Sequence, residues 1–485
     1  MQNMMYSGGK EMSDSISGHL RALISEHQAE VVEFRFTDLL GRWLHVTHWA
    51  ATIAKYGIGS GISIASGNLP GWGAMHDSEL MLRPDLSTAF CDLFADRKTI
   101  VIICDLIEPV SGLQSPIDPR GTLQRAIDWL PTTGVADDVQ VGPEFEFYLF
   151  DDVRFHMSAN EAFFCIREQD GLQNSRADMD GGNPGHRISY SAFHLATPPS
   201  DTFTALRTEM LGLIEQVGLT PLHHQHEAGP GQQEIGIRHL PLRRAADASQ
   251  IVKYIIQNAA RRGGKTATFM PKPLNYVPGS AFHLNLSLSF AGRSIFGGDK
   301  YAGLSEICLF FIGGVLAHAQ ALNAILNSSV NSYKRLNMIY NYGTSLSYSA
   351  RNRTAPIRIP SASGPDAARI ELRFPDPTCN PYLGIAAVLM AGLDGIQRRL
   401  DPGAPAEDNL LRGQDGFDVR KRAERTFARD LTEAIISLDG DREFLKQGGV
   451  FNDRQIEAVI AALNQQVRVN RGLPHPNEYY IYFST

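Results

Sequence analysis

The sequence predicts a mixed α+β fold, on three observations. Short alternating or apolar runs read as strands: Val31–Thr37, Trp43–Thr47, Thr99–Leu106, 141–150 and Leu284–Leu288. Longer segments at 201–217, 245–262, 303–326 and 378–399 read as helices. Between them lie stretches carrying Gly, Ser, Asn and Pro, which read as loops.

Taken in order, residues 1–15 are polar and rich in Met, and are expected to fray. Residues 16–27 form an amphipathic pattern for a helix. The strands 31–37 and 43–47 flank Asp38-Leu39-Leu40-Gly41, a hairpin signature. Gly57–Gly73 reads as a loop, and Thr99–Leu106 as a buried strand closed by Glu108-Pro109. Pro116–Arg120 reads as the linker before a helix, dividing the chain at 16–115 and 116–485. Residues 157–189 and 327–366 read as long loops, and loops of that length in a compact domain are usually functional.

Composition narrows the function classes. The chain has 485 residues, 43% hydrophobic and 20% charged, which suits a globular protein with a large core. Lys+Arg 45 against Asp+Glu 52 gives a formal net charge of -7, with no basic run to track a phosphate backbone, so nucleic acid is not an expected partner. Five scattered cysteines without a Cys-x-x-Cys predict free thiols in a reducing compartment, hence a cytoplasmic location. No signal-peptide pattern opens the chain. The apolar run Ile307–Ala317 is too short to span a bilayer and reads as a buried helix, so no membrane is expected.

The chemistry starts at Glu144-Phe145-Glu146. On a strand the two acids share one face, and like charges on one face repel unless a cation holds them. Alone, such a pair is more often a solvated strand face. Here it is followed by more carboxylates. His224-Gln225-His226-Glu227 leads through Gly229-Pro230-Gly231 to Glu234, seven residues on. Pro278-Gly279-Ser280-Ala281-Phe282-His283 enters a strand. Arg369-Ile370-Glu371-Leu372-Arg373 puts a carboxylate between two guanidiniums on one strand face, a pattern that an ion-pair ladder would share.

In this order the segments resemble the bacterial type I glutamine synthetase family, from about Val31 to the C-terminus. Long stretches carry the resemblance: 264–273 (GKTATFMPKP), 331–336 (NSYKRL) and 373–377 (RFPDP). It implies a small N-terminal β-grasp-like domain and a larger catalytic domain with an antiparallel sheet and flanking helices. It also implies a homododecamer, with each site formed between neighbouring subunits. The implied reaction phosphorylates the γ-carboxylate of glutamate with ATP, and an amine then displaces the phosphate.

Position by position, the resemblance assigns one divalent cation, Mg²⁺ or Mn²⁺, to Glu146, Glu227 and Glu234, and a second to Glu144, His283 and Glu371. Hard cations favour such carboxylate oxygens. Arg353 matches the arginine that stabilises the transferring phosphoryl group, with Glu227 also at the reacting centre. Gly279, Arg335 and Arg373 match glutamate-binding positions. Asn285, Ser287, Arg358 and Arg369 match nucleotide positions.

The departures cluster at the ammonium pocket. Ala65 stands at the family's Asp position, Asn68 at its Ser, His194 at its Tyr and Asn341 at its flap Glu. A carboxylate about 4 Å from a cation is worth on the order of 4 kcal/mol at an effective dielectric of about 20. Losing two such partners cripples ammonium capture, yet all six metal positions remain. The expected nucleophile is therefore an amine that is neutral at pH 7, such as aniline, with Trp72, Tyr190, Phe193, Tyr340 and Tyr342 near the altered positions in sequence. The favoured reading is a γ-glutamylamide ligase of the glutamylanilide synthase kind. The alternatives are a γ-glutamyl ligase for an alkylamine, ethanolamine or polyamine, an ordinary glutamine synthetase, and a non-catalytic dodecameric scaffold. Pro278 replaces an Asn at glutamate's α-amino end, Leu222, Asn285 and Asp366 replace Glu, His and Lys near the nucleotide, and Leu411 replaces the tyrosine that enteric members adenylylate.

Overall fold

The computed structural model describes residues 16–59, 61–72, 78–171, 185–186, 193–337, 346–406, 426–471 and 473. Residues 1–15 and Tyr190, Tyr340, Asn341, Tyr342 and Leu411 lie outside them. A helix over 16–26 (α1) leads into the hairpin β1 (Val31–Thr37) and β2 (Trp43–Trp49). Its turn is pinned by Asp38, whose carboxylate accepts from the backbone N–H groups of Leu40 and Arg42 and from Arg42 Nε. Then come α2 (Ala50–Tyr56), β3 (Ile62–Ala65), β4 (Glu79–Cys91) and β5 (Thr99–Ile107). The sheet order is β2-β1-β5-β4-β3, with β1 parallel to β5 and the other pairs antiparallel. All nine residues of the apolar run in β5 are buried, as a central strand covered on both faces requires. The stretch 57–73, expected as a loop, contains β3: four residues suffice to pair with β4, and the flanking glycines hid them.

The larger part of the chain opens with α3 (Pro119–Trp129), capped by Asp118. Next follow β6 (Asp138–Phe150), the hairpin β7 (Asp152–Met157) and β8 (Ala162–Arg167), α4 (Thr204–Gln216), β9 (Pro221–His226), β10 (Gln232–Ile237) and β11 (Leu240–Pro241). After them come α5 (Leu242–Arg262), β12 (Thr266–Thr268), β13 (Phe282–Phe290), β14 (Arg293–Ser294), α6 (Glu306–Ala317), α7 (Ala319–Leu326) and α8 (Val330–Leu336). The remainder is β15 (Tyr348–Ala350), β16 (Ile357–Ile359), β17 (Ile370–Leu372), α9 (Pro381–Arg398), α10 (Leu431–Gly440), α11 (Glu443–Lys446) and α12 (Asp453–Arg471). One sheet runs in the order β15-β16-β17-β13-β6-β10-β9, with β11 and β12 also on β6 and β14 on β13. Both expected long loops therefore hold structure, β8 in one and α8, β15 and β16 in the other, each too short to stand out from its polar surroundings.

The single helix expected over 303–326 is two, bent by 73° at His318. The backbone of His318 leaves the helical region, and its ring nitrogens meet Asp441 (2.8 Å) and Asp394 (2.9 Å). No single helix among the described residues is long and apolar enough to cross a membrane. The N-terminal sheet is tied to the helices of the larger part through the buried Arg120 of α3. Its guanidinium binds Asp85 of β4, Asp105 of β5 and Asp247 of α5, and Tyr382 of α9 donates to the same Asp247. A planar fork of donors suits such a junction because it satisfies several acids at fixed angles.

Candidate active site

The acids converge because the sheet brings them into register. Gly142, Glu144 and Glu146 are two apart on β6 and share a face. Across the neighbouring strands this face carries three rows. One is Glu146, Glu234 and Gln225. The next is His283, Glu144, Gly236 and His223. The third is Gly142, Asn285, Glu371 and Arg358. Glu227 continues the alternation of His223 and Gln225 just past the end of β9.

Two groups of ligand atoms each lie within 4.8 Å of one another: Glu146, Glu227 and Glu234, and Glu144, Glu234 and His283. The first is the trio that the sequence suggested. The second differs, since Glu234 takes the place expected of Glu371. Glu371 Oε1 stands 3.7 Å from His283 Nδ1, but Arg358 and Arg373 grip its two oxygens in close ion pairs. A carboxylate held between two guanidiniums is already neutralised.

The electrostatics fit a cation site. Burial and the carboxylates of Glu227, Glu144 and Glu146 push Glu234 well above the usual carboxylate range. Burial also raises Glu146, with Glu227 adding to it against the opposing His283. Glu144 goes the other way: burial resists ionisation, but a 3.2 Å contact with His283 Nδ1 prevails and brings it to about 2. His283 Nε2 is buried with no hydrogen-bond partner among the described residues, 3.6 Å from Glu146 Oε1. Crowded acids that resist ionisation, beside an orphaned ring nitrogen, are a donor set that a divalent cation satisfies.

Along the same face lies a cleft of about 440 Å³, lined by Gln140, Glu144, His223, Asn285, Ser287, Asp366 and Arg369 among others. Three of the expected nucleotide residues are there. Asn285 donates to Glu144 Oε1 (2.9 Å) and accepts from Arg369 Nε (3.2 Å), linking the cleft to the acids. Ser287 donates to the carbonyl of Ala368 (2.9 Å). Arg358, the fourth, does not line the cleft; it is spent on Glu371.

Arg335, expected at the substrate carboxylate, is held from the other side. It is fully buried, and its terminal nitrogens donate to the carbonyls of Arg373 (2.8 Å), Phe374 (2.8 Å) and Pro375 (3.3 Å), bracing that segment. Gly279 lies against it: a Cβ at Gly279 would fall 2.3 Å from the carbonyl oxygen of Pro271 and 2.9 Å from Arg335 Cγ, so only glycine fits. Arg373 remains at the acids through Glu371. Arg353 is exposed in the turn after β15, and its charge opposes protonation of His194.

The amine side is less enclosed. Ala65 ends β3, and Asn68 is exposed in the turn that follows. His194 Nδ1 stands 3.5 Å from Glu227 Oε2, a contact that raises the imidazole pKa against a smaller opposing effect of burial. Glu227 also accepts from Gln225 Nε2 (2.7 Å) and the N–H of Ala228 (3.1 Å). Two aromatic residues expected near an amine are committed elsewhere. Trp72 is 3% exposed and packs in the core; Phe193 is fully buried and stacks on His226 at 5.3 Å between centroids.

Sequence reasoning passed over Gln225, Gln232 and His223. Gln225 bridges Glu227 and Glu234, and Gln232 reaches Glu146 (3.4 Å) and the carbonyl of Gly279 (3.1 Å). The alternation 223, 225, 227 was the available signal.

A cluster of acids able to hold divalent cations, continuous with a cleft of about 440 Å³, is the site of a metal-dependent enzyme class. Residues 116–482 match the family described as glutamine synthetase, catalytic domain, and residues 28–109 match glutamine synthetase, beta-Grasp domain. Glutamine synthetase of Escherichia coli (strain K12) is 44% identical over 469 residues, covering 96% of this chain and 99% of its own. That of Rhizobium meliloti (strain 1021) is 42% identical, covering 95% and 98%. Among solved structures, Plasmodium falciparum glutamine synthetase superposes with a TM-score of 0.86 at 24% identity, covering 96% and 98%. Apo GmaS superposes with 0.78 at 25% identity, covering 96% and 99%. The chain belongs to the glutamine synthetase family, and as such is an ATP-dependent ligase that forms carbon–nitrogen bonds. The family uses ATP and divalent metals, and its members form oligomers.

Proposed function

We propose that this ligase phosphorylates the γ-carboxylate of glutamate with ATP and joins it to an arylamine such as aniline, giving a γ-glutamylamide, ADP and phosphate. The observation that carries the reading is the state of Glu227. It is the last carboxylate expected at the amine pocket, and both its oxygens are engaged, one by Gln225 and the other by His194 and the N–H of Ala228. With Ala65, Asn68 and Asn341 bringing no charge, little is left to attract an ammonium ion.

Glu146, Glu227 and Glu234, and Glu144, Glu234 and His283, would hold Mg²⁺ or Mn²⁺. These ions would neutralise charge when the two anions meet. Arg353 serves the transferring phosphoryl group, and Arg373 with the backbone at Gly279 receives glutamate. Asn285, Ser287 and Arg369 face the nucleotide. The γ-carboxylate attacks the terminal phosphorus of ATP and ADP leaves. The amine nitrogen then attacks the acyl carbon and phosphate leaves. An arylamine enters neutral, and after attack its N–H is acidic enough to pass to water, so the missing flap acid is not needed.

The test is an amine panel with ATP and glutamate, read as phosphate release and amide mass. Aniline or a substituted aniline should give a much higher kcat/KM than ammonium, methylamine, ethanolamine or putrescine. Efficient glutamine formation with no arylamide would sink the specificity and leave the ligase. That second reading, an ordinary glutamine synthetase, is favoured by the 44% identity to the Escherichia coli enzyme. We further propose that the active species is a homododecamer, Ala65 and Asn68 completing a neighbour's site. Light scattering with activity measured on the same fractions tests this; full activity at the mass of one chain refutes it.

A further inference from the structure

His223 lies where the acids and the cleft meet. It stands at the end of the row His283, Glu144, Gly236, His223, and it also lines the cleft. Its imidazole does not rise straight off the sheet. It folds over its cross-strand partner Gly236, so that a Cβ there would sit 2.4 Å from His223 Cε1 and 2.8 Å from Nδ1. With no side chain in the way, the ring lies over β10 and brings Nε2 to 3.2 Å from Glu234 Oε1. The ring remains accessible, its side chain 41% exposed. Glu144, His223 and Gly236 all line the cleft on the side toward the acids.

We propose that His223 is a phosphate-binding residue, aimed by Gly236, whose Nε2–H donates to an oxygen of the terminal phosphates of the bound nucleotide. This rests on the reading of the cleft as the ATP site. A phosphate oxygen is the same kind of acceptor as the carboxylate oxygen now within reach of Nε2, and a hydrogen bond to an anion is among the stronger ones. The contact also supplies a donor in a cleft where Leu222 and Asp366 offer the phosphates no cationic group. Gly236 is a positioning residue here, since it acts only by leaving room.

The experiment is calorimetric binding of a non-hydrolysable ATP analogue, and separately of AMP, with magnesium present and no amine. His223→Ala should weaken the analogue about tenfold and leave AMP within about twofold. His223→Gln, which keeps an N–H donor near the same place, should recover part of the loss. Gly236→Ala should reproduce the selective loss by displacing the ring. If His223→Ala weakens neither ligand, or both equally, the phosphate contact is wrong. If the unaltered protein binds AMP and the analogue nowhere in the cleft, as judged by their indifference to Arg369→Ala, the ATP-site reading has failed first. A circular dichroism spectrum of each variant separates loss of fold from loss of contact.

Discussion

The two halves of the site are built on different supports. The clustered acids stand mainly on two hydrogen-bonded strands, Glu144 and Glu146 on β6 and Glu234 on β10, with Glu227 just past β9 and His283 beside them on β13, and register sets these side chains next to one another. The residues proposed to face the amine sit off that grid. Ala65 and Asn68 are at the rim of the N-terminal sheet, and His194 is in a connecting segment. A strand residue cannot shift without moving its row, whereas a residue in a turn can change its chemistry at little structural cost. The charged half keeps its acids, and the departures gather where the backbone tolerates them.

Breaking the grid should have the largest effect. Glu146→Ala or excess chelator is expected to lower phosphate release by about a thousandfold or more, because it removes charge neutralisation from a cluster of acids. Phosphate release in the presence of glutamate and the best amine measures this; undiminished turnover in chelator contradicts a metal role. Next is the amine half. Ala65→Asp with Asn341→Glu should move the ratio of kcat/KM for ammonium against aniline by about tenfold to a hundredfold toward ammonium. Metal affinity should stay unchanged, since no ligand is touched, and an unaltered ratio would remove these positions from specificity.

A smaller effect is expected from His194→Tyr. Releasing Glu227 from the imidazole should change the KM of the amine several-fold while the KM of ATP holds. Parallel movement of both constants would mean that the halves are coupled. The smallest effect is a control on stability away from both halves. Burial would lower the pKa of His318, but its hydrogen bonds to Asp441 and Asp394 outweigh that and raise it. A raised folded-state value means that the contribution is complete below the ordinary histidine value of about 6.5 and is lost as pH rises through the higher folded value. Thermal unfolding from pH 6 to 9 should show a modest decline that His318→Gln abolishes. An identical decline in the variant would assign it to other groups.

The chain by itself determined the ingredients of the charged half. Five of its six metal-ligating candidates fall in the two ligand groups, and the pairing of Glu144 with Glu146, like the placing of Glu371 between Arg369 and Arg373, was legible because alternation sets it whatever the rest of the fold does. The strands β1, β2, β5, β6 and β13 and the helices α1, α4, α5 and α9 were legible for the same local reason, whereas β4, most short strands and the helices α10 and α12 were not. Only the tertiary structure decided which charges meet. Glu234 lies seven residues from Glu227 in the chain yet belongs to both ligand groups, since β10 pairs with β6. Glu371 turns to two arginines and Arg335 to three carbonyls, because burial makes each charge take the nearest partner that the packing offers. Trp72 and Phe193 went to the core for want of any polar reason to stay out of it. His223 reaches Glu234 only because Gly236, thirteen residues on, happens to be its cross-strand partner and leaves the space above itself open. Sequence spacing carries no record of such a pairing, since it is set by how two strands align and not by either strand alone.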